Sequence, residues 1–332
     1  MTKKVFINGF GRIGRVFFRN FYKRLGSADI DVVGINDLVD PKLLAYLLKF
    51  DSAYGPFTYD VQAKGQSLII GDREIPVTAE RDPASLPHAK LEVDVVLEST
   101  GVFRKRAGAS KHLEAGAGKV LISAPATDPD VTVVYKVNDG DVKPDHKIIS
   151  NASCTTNCLA PPTKVLHDNF TIQKGLMTTV HAVTNDQNVL DAPHKKFTRA
   201  RACCFNTIPT TTGAAAAIGL VLPDLKGKLD GMALRVPVIT GSVVDLTVQV
   251  EKDTTTEEVN NLMRKYADGE MKGVLSVTED EIVSSDIIGN PMSSIFDPHY
   301  TSVMGNFIKV LSWYDNESGY SNRCIDIIDK VL

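Results

Sequence analysis

The sequence predicts an α/β protein in which a domain with a parallel sheet is followed by an α+β domain with a mostly antiparallel sheet. The chain has 332 residues, and at about 150 residues per domain this length favours two domains. In the first half, short β-branched runs alternate with helical patterns, which is typical of a parallel sheet covered by helices. After Ser150, longer strands of alternating polarity suit an antiparallel sheet with one covered face.

The elements of the first half follow from the spacing of apolar residues. Residues 4–8 predict a strand that leads directly into glycines, and apolar residues at every fourth position from Ile13 to Leu25 predict the first helix. Asp40 and Pro41 predict an N-cap and the first position of a second helix. The other strands of this half are expected in short apolar runs at 30–36, 93–97, 120–122, 131–134 and 147–149.

The second half carries a different pattern. Residues 232–250 alternate between apolar and polar side chains and predict long strands. Thr256 starts a helix that runs toward Asp268. The predicted limits are 1–150 for the first domain and 151–316 for the second, and 317–332 form a C-terminal amphipathic helix that is expected to return to the first domain.

Composition and charge narrow the classes of function. Lys plus Arg number 37 and Asp plus Glu 40, for a net charge of −3, which gives no basic surface for a nucleic acid or an anionic membrane. The five cysteines cannot all pair and lack the spacing of a zinc ribbon. We therefore expect free thiols, a reducing cytoplasmic compartment and no metal. The longest apolar run is about half the length of a membrane span.

Three glycines lie between the first predicted strand and the first predicted helix. Gly9, Gly11 and Gly14 fit the pattern G-x-G-x-x-G, and Asp37 follows Gly14 by 23 residues at the end of the second strand. This is close to the spacing of the carboxylate that binds an adenosine ribose. A glycine-rich turn with an unrelated capping aspartate is the structural alternative. The pattern favours a Rossmann-type domain that binds NAD, because Asp37 would repel the 2′-phosphate of NADP.

A candidate nucleophile stands at a predicted helix start. Ser153 or a neighbour can cap the helix and place Cys154 in its first turn, where the helix dipole would lower the thiol pKa. Cys158 is one turn further on, and for both thiols a buried core position is the alternative. His181 ends an apolar strand and is the candidate base, although such a histidine is more often only hydrogen-bonded or solvated. The remaining histidines are placed in polar loops (His194, His299) or on the surface (His88, His112, His146, His167).

Several groups of the second half could bind an anion. Residues 210–213 (Thr-Thr-Thr-Gly) precede a helical run, so that hydroxyl and N–H groups gather at a helix N-terminus. Arg199 and Arg201 flank a polar loop, and Arg235 interrupts an apolar strand. An arginine in such a strand needs an anionic partner. A structural salt bridge would explain any one of the three, whereas together they favour a phosphorylated ligand.

With these features assembled, the chain resembles the glyceraldehyde-3-phosphate dehydrogenase family essentially from end to end. The resemblance is carried by segments 8–15 (NGFGRIGR), 150–159 (SNASCTTNCL), 181–187 (HAVTNDQ), 209–215 (PTTTGAA) and 313–317 (WYDNE). It implies NAD-dependent, phosphorylating oxidation of D-glyceraldehyde 3-phosphate to 1,3-bisphosphoglycerate through a cysteine thioester. It also implies a role in glycolysis or gluconeogenesis and a cytoplasmic homotetramer. The related erythrose-4-phosphate dehydrogenases have a similar cysteine and histidine and stay open as an alternative.

The resemblance also implies a role for each matching residue. Cys154 becomes the nucleophile and His181 its activator, and Thr184 and Arg235 match the site for the substrate's phosphate. Further contacts to substrate and inorganic phosphate match Ser153, Thr155, Arg199, Thr212 and Gly213. Cofactor contacts match the three glycines and Asp37 together with Arg12, Ile13, Arg81, Ser123 and Asn316, and Tyr320 packs near the nicotinamide.

The chain departs from the family's pattern at three places. Residues 238–241 (Val-Ile-Thr-Gly) replace the usual Thr-Pro-Asn-Val, and His88 stands where Trp is common. Ala192 replaces a leucine in a loop that reaches the adenosine of a neighbouring subunit. We expect the polar loop 186–201 to lie against that neighbour. An NAD sensor without turnover and a secondary RNA-binding role are two alternatives from other classes.

Overall fold

The computed structural model describes residues 2–332, which form two compact units. The first unit holds the chain up to Ser153 together with Ser321–Leu332, and the second holds Cys154–Tyr320. One sheet organises each unit. The first sheet has nine strands and the second has seven.

Short elements build the first unit. Its strands are β1 (Lys3–Asn8), β2 (Ile30–Asn36), β3 (Val61–Lys64), β4 (Ser67–Ile70), β5 (Arg73–Thr78), β6 (Val95–Glu98), β7 (Lys119–Ile122), β8 (Val131–Thr132) and β9 (Ile148–Ser150). Its helices before the second unit are α1 (Arg12–Lys23), α2 (Pro41–Lys49), α3 (His88–Leu91) and α4 (Arg106–Glu114).

The centre of the first sheet is parallel, in the order β5-β2-β1-β6-β7-β9. Strands β3, β4 and β5 form an antiparallel meander at one edge. The order reverses at β1, which pairs with β2 on one side and β6 on the other. In an open α/β sheet a ligand binds outside the carboxyl ends of the strands at such a point.

The end of the chain packs on the first unit. Lys3 Nζ donates to the carbonyl oxygens of Ile328 (2.9 Å) and Asp329 (3.0 Å), and Arg24 pairs with Asp326 at 2.8 Å. The predicted single helix over 317–332 is an α-helix that ends at Asp326 and continues as a π-helical turn, Ile327–Val331. These contacts place the last turns beside the start of β1.

Longer elements build the second unit. Its strands are β10 (Ile172–His181), β11 (Ile208–Thr211), β12 (Leu229–Arg235), β13 (Ser242–Val250), β14 (Leu275–Val277), β15 (Ser294–Met304) and β16 (Phe307–Tyr314). Its helices are α5 (Cys154–Phe170), α6 (Ala214–Val221), α7 (Thr256–Asp268) and the start of α8 (Ser318–Asp326).

The second sheet has the order β11-β12-β10-β13-β16-β15-β14 and is mostly antiparallel. Only the pairs β10–β12 and β14–β15 run parallel. Every other residue of β13 is buried, as expected of a strand with one covered face. The predicted stretch 232–250 is interrupted at 236–241, where the chain leaves β12 and turns back into β13. The predicted fold class is thus confirmed, with two strands where one long alternating stretch was expected.

Two histidines predicted on the surface are fully buried, so that prediction was wrong. His88 and His112 are both 0% exposed, and His88 Nε2 lies 3.0 Å from His112 Nδ1. His112 Nε2 in turn lies 3.1 Å from a carboxylate oxygen of Glu98. The polar flanking sequence suggested solvent, whereas the two side chains are buried in a polar network with Glu98, in which His88 Nδ1 has no partner within residues 2–332. None of the helices in residues 2–332 has both the length and the apolar character needed to span a bilayer.

Candidate active site and cofactor pocket

Two element ends bring a thiol and an imidazole together. Helix α5 begins at Cys154 and strand β10 ends at His181. The Sγ of Cys154 lies 3.5 Å from Nε2 of His181. The cysteine is partly exposed, while the histidine is buried. This is the geometry of a nucleophile with an adjacent general base.

Strand register adds a third side chain to this pair. Strands β10 and β12 run parallel with His181 opposite Arg235. One guanidinium nitrogen, Nη1, lies 2.7 Å from His181 Nδ1 and donates to the carbonyl of Ala182 at 3.0 Å. Within residues 2–332 Arg235 forms no ion pair, and its buried Nε has no hydrogen-bond partner. Its charge therefore remains available to an anion.

Burial governs the titration of the catalytic pair. Burial, followed by the charge of Arg235, lowers the pKa of His181 to about 3. Burial raises the pKa of the Cys154 thiol, and the charge of Arg235 opposes that rise. The backbone N–H groups at the helix start lower the thiol pKa, as expected, but desolvation is the larger influence and the net shift is upward.

The two groups can still ionise together. A proton moved from Sγ of Cys154 to Nε2 of His181 creates opposite charges 3.5 Å apart. Their attraction offsets part of the cost that burial imposes on either charge alone.

A buried tyrosine that the sequence analysis did not single out packs beside Cys154 and His181. The hydroxyl of Tyr314 lies 2.9 Å from the hydroxyls of both Thr155 and Thr179. Its ring packs edge-on against His181, with centroids 5.9 Å apart. Tyr314 belongs to segment 313–317, so the signal available in the sequence was that segment's high specificity. The contacts tie the first turn of α5 to β10.

The predicted anion-binding residues divide into two groups. Arg199 Nε donates to Thr210 at 2.9 Å and its Nη1 pairs with Asp186, close to the residues that lead into α6. Arg201 instead forms an exposed salt bridge with Asp191 at 2.8 Å, which is the structural alternative stated for it.

The remaining predicted substrate residues occupy turns of the same unit or adjoin Cys154 in sequence. Thr212 accepts a hydrogen bond from Ala214 N at 3.2 Å, and Gly213 is the N-cap of α6. The backbone N–H of Thr184 donates to Gln187 at 3.2 Å. Ser153 precedes Cys154 and is partly exposed.

The loop after β1 fits the phosphates of a dinucleotide. Gly9 has φ +92, and a Cβ there would lie 2.7 Å from Thr100 N. A Cβ on Gly14 would lie 2.3 Å from the carbonyl oxygen of Gly9. Nothing lies within 4 Å of the Cβ position of Gly11, so this backbone is open to close approach by a ligand. Gly11 also caps α1, whose free N–H groups favour an anion.

A cavity of about 360 Å³ adjoins this loop, and its lining includes Gly9, Gly11, Asp37 and Arg81. The two carboxylate oxygens of Asp37 accept hydrogen bonds from the backbone N–H groups of Phe10 (2.7 Å) and Val39 (3.0 Å). These bonds hold the carboxylate at the cavity wall, where it can accept from ribose hydroxyls. The residues present therefore fit NAD.

The other predicted cofactor residues have varied surroundings. Arg12 pairs with Asp51 at 2.5 Å, and Ile13 is partly exposed in the first turn of α1. Ser123 donates to the carbonyl of Glu98 at 3.0 Å. Asn316 and Tyr320 are buried residues of the second unit.

Comparison with known proteins agrees with this geometry. Residues 3–106 match the family model described as the NAD binding domain of glyceraldehyde 3-phosphate dehydrogenase, and residues 153–316 match the model of its C-terminal domain. Glyceraldehyde-3-phosphate dehydrogenase of Mycobacterium avium is 56% identical, with 100% of this chain and 99% of that protein covered. Those of Borreliella burgdorferi (55%, covering 99% of each) and Geobacillus stearothermophilus (54%, covering 98% and 97%) are similarly close. The chain belongs to the glyceraldehyde-3-phosphate dehydrogenase family.

Proposed function

We propose that the chain oxidises D-glyceraldehyde 3-phosphate to 1,3-bisphosphoglycerate through a thioester on Cys154, with inorganic phosphate as the final acyl acceptor. Family membership makes the chain an NAD-dependent oxidoreductase of glycolysis. The observation that carries the covalent route is the 3.5 Å approach of Cys154 Sγ to His181 Nε2. Covalent capture divides the oxidation and the acyl transfer into two easier steps.

His181 can move the proton through each step. As Sγ of Cys154 attacks the aldehyde carbon, the thiol proton passes to Nε2 and then to the new alkoxide, giving a hemithioacetal. Nε2 takes the hydroxyl proton back as the carbonyl re-forms and the C–H bond breaks with its electron pair. Bound NAD supplies the acceptor for that hydride. Phosphate oxygen then attacks the thioester carbon, and Sγ leaves as thiolate and recovers the proton.

Arg235 supports the assignment of a phosphate site. It is a partly buried cation without a carboxylate partner in residues 2–332 and lies beside His181. Arg199, with Thr212 and Gly213 at the start of α6, forms the second cluster, which we assign to the other phosphate. Thr184 belongs to the substrate-phosphate site with Arg235, and Ser153 and Thr155 flank the nucleophile in sequence. Charge-assisted hydrogen bonds from arginine suit phosphate oxygens.

We assign different roles to the two units. We assign NAD to the first unit through Gly9, Gly11, Gly14, Asp37 and the contacts of Arg12, Ile13, Arg81 and Ser123. We assign the chemistry, with Asn316 and Tyr320 at the nicotinamide, to the second unit. We further propose a cytoplasmic homotetramer. Free cysteines throughout the chain suit a reducing compartment, and exposed apolar side chains on loop 182–207 suit a subunit contact.

An assay of NADH formation at 340 nm tests the reaction. With glyceraldehyde 3-phosphate and NAD we expect steady turnover only when inorganic phosphate is present, because the thioester otherwise persists. Cys154→Ser should abolish acyl transfer, since a hydroxyl at its free pKa is a weaker nucleophile than a thiolate. A higher kcat/KM with erythrose 4-phosphate would overturn the substrate assignment. Turnover at the same rate without phosphate would overturn the phosphorylating step.

A further inference from the structure

Glu98 is a buried carboxylate at the centre of the first sheet. It is 2% exposed and is the last residue of β6, where it pairs with Asn8, the last residue of β1. A glutamate is rarely buried to this extent unless other groups satisfy it. The proposed reaction does not use Glu98, so its burial points to a different role.

Four donors surround this carboxylate, two at each oxygen. Oε1 accepts hydrogen bonds from the backbone N–H of Thr100 at 2.9 Å and from the Thr100 hydroxyl. Oε2 accepts from Nδ2 of Asn8 at 2.6 Å and lies 3.1 Å from Nε2 of His112. An ionised carboxylate accepts at both oxygens and has about four lone-pair sites for such donors. The surroundings of Glu98 therefore suit its charged form.

A backbone N–H group fixes the orientation of the Asn8 amide. The N–H of Glu80 donates to Asn36 Oδ1 at 2.8 Å, so the amide of Asn36 cannot flip. Asn36 Nδ2 in turn donates to Asn8 Oδ1 at 2.8 Å, which directs the Nδ2 of Asn8 toward Glu98. Thr100 N is also a backbone donor. Both oxygens of Glu98 therefore face donors that cannot become acceptors.

These two partners of Glu98 lie at the wall of the cavity that we assign to NAD. Asn8 and Thr100 both line this cavity, whereas Glu98 is not part of the lining. The wall also touches the glycine turn, because a Cβ on Gly9 would lie 2.7 Å from Thr100 N. Ser99 Oγ donates to the carbonyl of the same Gly9 at 2.7 Å. A shift of Thr100 would therefore displace the turn as well.

We propose that Glu98 is a positioning residue for NAD, whose carboxylate joins the ends of β1 and β6 and holds Asn8 and Thr100 in place at the cavity wall. The proposal rests on the proposed function, which assigns NAD to this cavity. Glu98 acts through the residues of the wall and is not a catalytic residue.

Glutamine has the shape of glutamate but cannot satisfy the same donors. In one orientation its amide nitrogen would face Thr100 N, and in the other it would face Asn8 Nδ2. Two donors would oppose each other in either case, and a buried donor without an acceptor is costly. One of the two wall residues therefore loses its partner in Glu98→Gln.

Calorimetric titration with NAD⁺ and with ADP-ribose tests the proposal. For Glu98→Gln we expect both Kd values to rise by the same factor, about tenfold, as for one lost hydrogen bond to a charged group. The KM for NAD⁺ should rise in parallel. We expect kcat at saturating NAD⁺ to stay within about twofold, because the partners of Glu98 belong to the first unit and Cys154 and His181 to the second. A simple loss of folded enzyme would instead lower kcat and leave KM unchanged.

Asp297→Asn is the matched control. Asp297 is 0% exposed and accepts from the backbone N–H of His299 at 3.1 Å and from Trp313 Nε1 at 3.0 Å. The substitution therefore also turns a buried, hydrogen-bonded carboxylate into an amide, but in the second unit. Both Kd values should stay within about twofold, since distant sites act independently. An equal loss of affinity in Asp297→Asn and Glu98→Gln would overturn the proposal.

Asp37→Ala separates the positioning role from the assignment of the cavity. An ADP-ribose affinity unchanged in Asp37→Ala would contradict the proposed function, because NAD would then bind elsewhere. Weaker ADP-ribose binding in Asp37→Ala together with unchanged binding in Glu98→Gln would overturn the role of Glu98 alone.

If Glu98→Gln does not fold, the double variant Asn8→Asp with Glu98→Gln decides. It moves the carboxylate to β1, where the new acid can accept from Asn36 and from the new amide, which still accepts from Thr100. His112 Nε2 lies 3.4 Å from Asn8 Nδ2 and would again face a carboxylate. We expect this variant to fold and to bind ADP-ribose within about threefold of the wild type, because each donor regains an acceptor. A double variant that does not fold, or that folds and binds more weakly than this, would overturn the proposal.

Discussion

At Cys154, burial and the charge of Arg235 act on the thiol pKa in opposite directions. Burial raises the thiol pKa, and under the proposed function the proton leaves the thiol for His181 across 3.5 Å. In His181→Asn that route is lost. We expect iodoacetamide labelling of Cys154 to move to higher pH and the oxidation to slow by about 10²- to 10⁴-fold, the usual contribution of a positioned acid–base group.

Peptide mapping across pH checks this prediction. Cys158 and Cys324 are buried, and burial raises the pKa of Cys324 to about 12, so neither should be labelled. Cys204 is exposed and is the competing thiol, which Cys204→Ser removes as a control. Labelling mainly at Cys203 or Cys204, or a pH profile indifferent to His181, would show that the pair is misassigned.

Arg235 is expected to affect both the thiol pKa of Cys154 and the binding of the substrate's phosphate, and one substitution tests both effects. Its charge lowers the thiol pKa of Cys154, and it has no ion-pair partner in residues 2–332. We expect Arg235→Gln to move Cys154 labelling to higher pH. We also expect the KM for glyceraldehyde 3-phosphate to rise by about 10- to 100-fold, the range for lost hydrogen bonds to a charged group. Arg201→Gln, at the exposed pair with Asp191, is the control. A KM unchanged in Arg235→Gln would contradict the phosphate assignment.

At the scale of elements, the turn from β1 to α1 offers a matched pair of glycines. A Cβ on Gly14 would collide with the carbonyl of Gly9 at 2.3 Å, whereas nothing lies within 4 Å of a Cβ on Gly11. We expect Gly14→Ala to lower the free energy of unfolding by about 1–3 kcal/mol, as overpacking does. Gly11→Ala should keep wild-type stability but bind NAD more weakly, because the methyl group occupies ligand space.

Urea unfolding and NAD titration of the two glycine variants check these expectations. Equal stability of Gly14→Ala and Gly11→Ala would contradict the close packing of Gly14. Unchanged NAD affinity in Gly11→Ala would argue against pyrophosphate at this turn.

Element by element, the sequence predicts best where one physical signal dominates. Apolar period and an Asp-Pro start were enough to place α2, whose Asp40 cap accepts from Lys42 N at 2.8 Å. The meander β3–β5 was missed because its strands are short, and β3 and β5 carry charged residues. The interruption at 236–241 was missed although Pro237 and Gly241 are turn signals in the sequence. The two strands lie on opposite sides of β10, with β12 parallel and β13 antiparallel to it.

The site was predictable to a similar degree. Cys154 and His181 have local signals, a helix start and a strand end. Tyr314 has only the specificity of segment 313–317 as a signal, because its role arises from hydrogen bonds to residues distant in the sequence. His88 and His112 were misplaced for the same reason, since only the tertiary structure supplies their partners.

For the whole molecule, buried neutral histidines couple stability to pH. His88 and His181 have pKa values lowered from 6.5 to about 3, with burial as the main cause. Between pH 6.5 and about 3, these two histidines bind protons in the unfolded chain but not in the folded chain. The free energy of unfolding should therefore fall as the pH falls from 6.5 toward 3, by up to about 1.4 kcal/mol per pH unit for each histidine.

Urea unfolding between pH 7 and 4 measures this dependence. His88→Gln keeps a donor for His112 but does not titrate, so its slope should be shallower than that of the wild type. His146→Gln, in a partly exposed loop, is the control. A wild-type slope in His88→Gln would show that His88 does not contribute.

Exposed apolar side chains lead to a prediction about the oligomeric state of the protein. On loop 182–207, Phe197 is 91% exposed and Phe205 is 86% exposed. Large apolar side chains at this exposure indicate a surface that another chain covers. We expect light scattering to give the mass of a tetramer and Phe197→Ser with Phe205→Ser to shift it toward smaller species with weaker NAD binding, because the loop is expected to complete a neighbour's cofactor site. Val283→Ser, an exposed apolar residue outside the loop, should remain tetrameric. A fully active monomer would refute this arrangement.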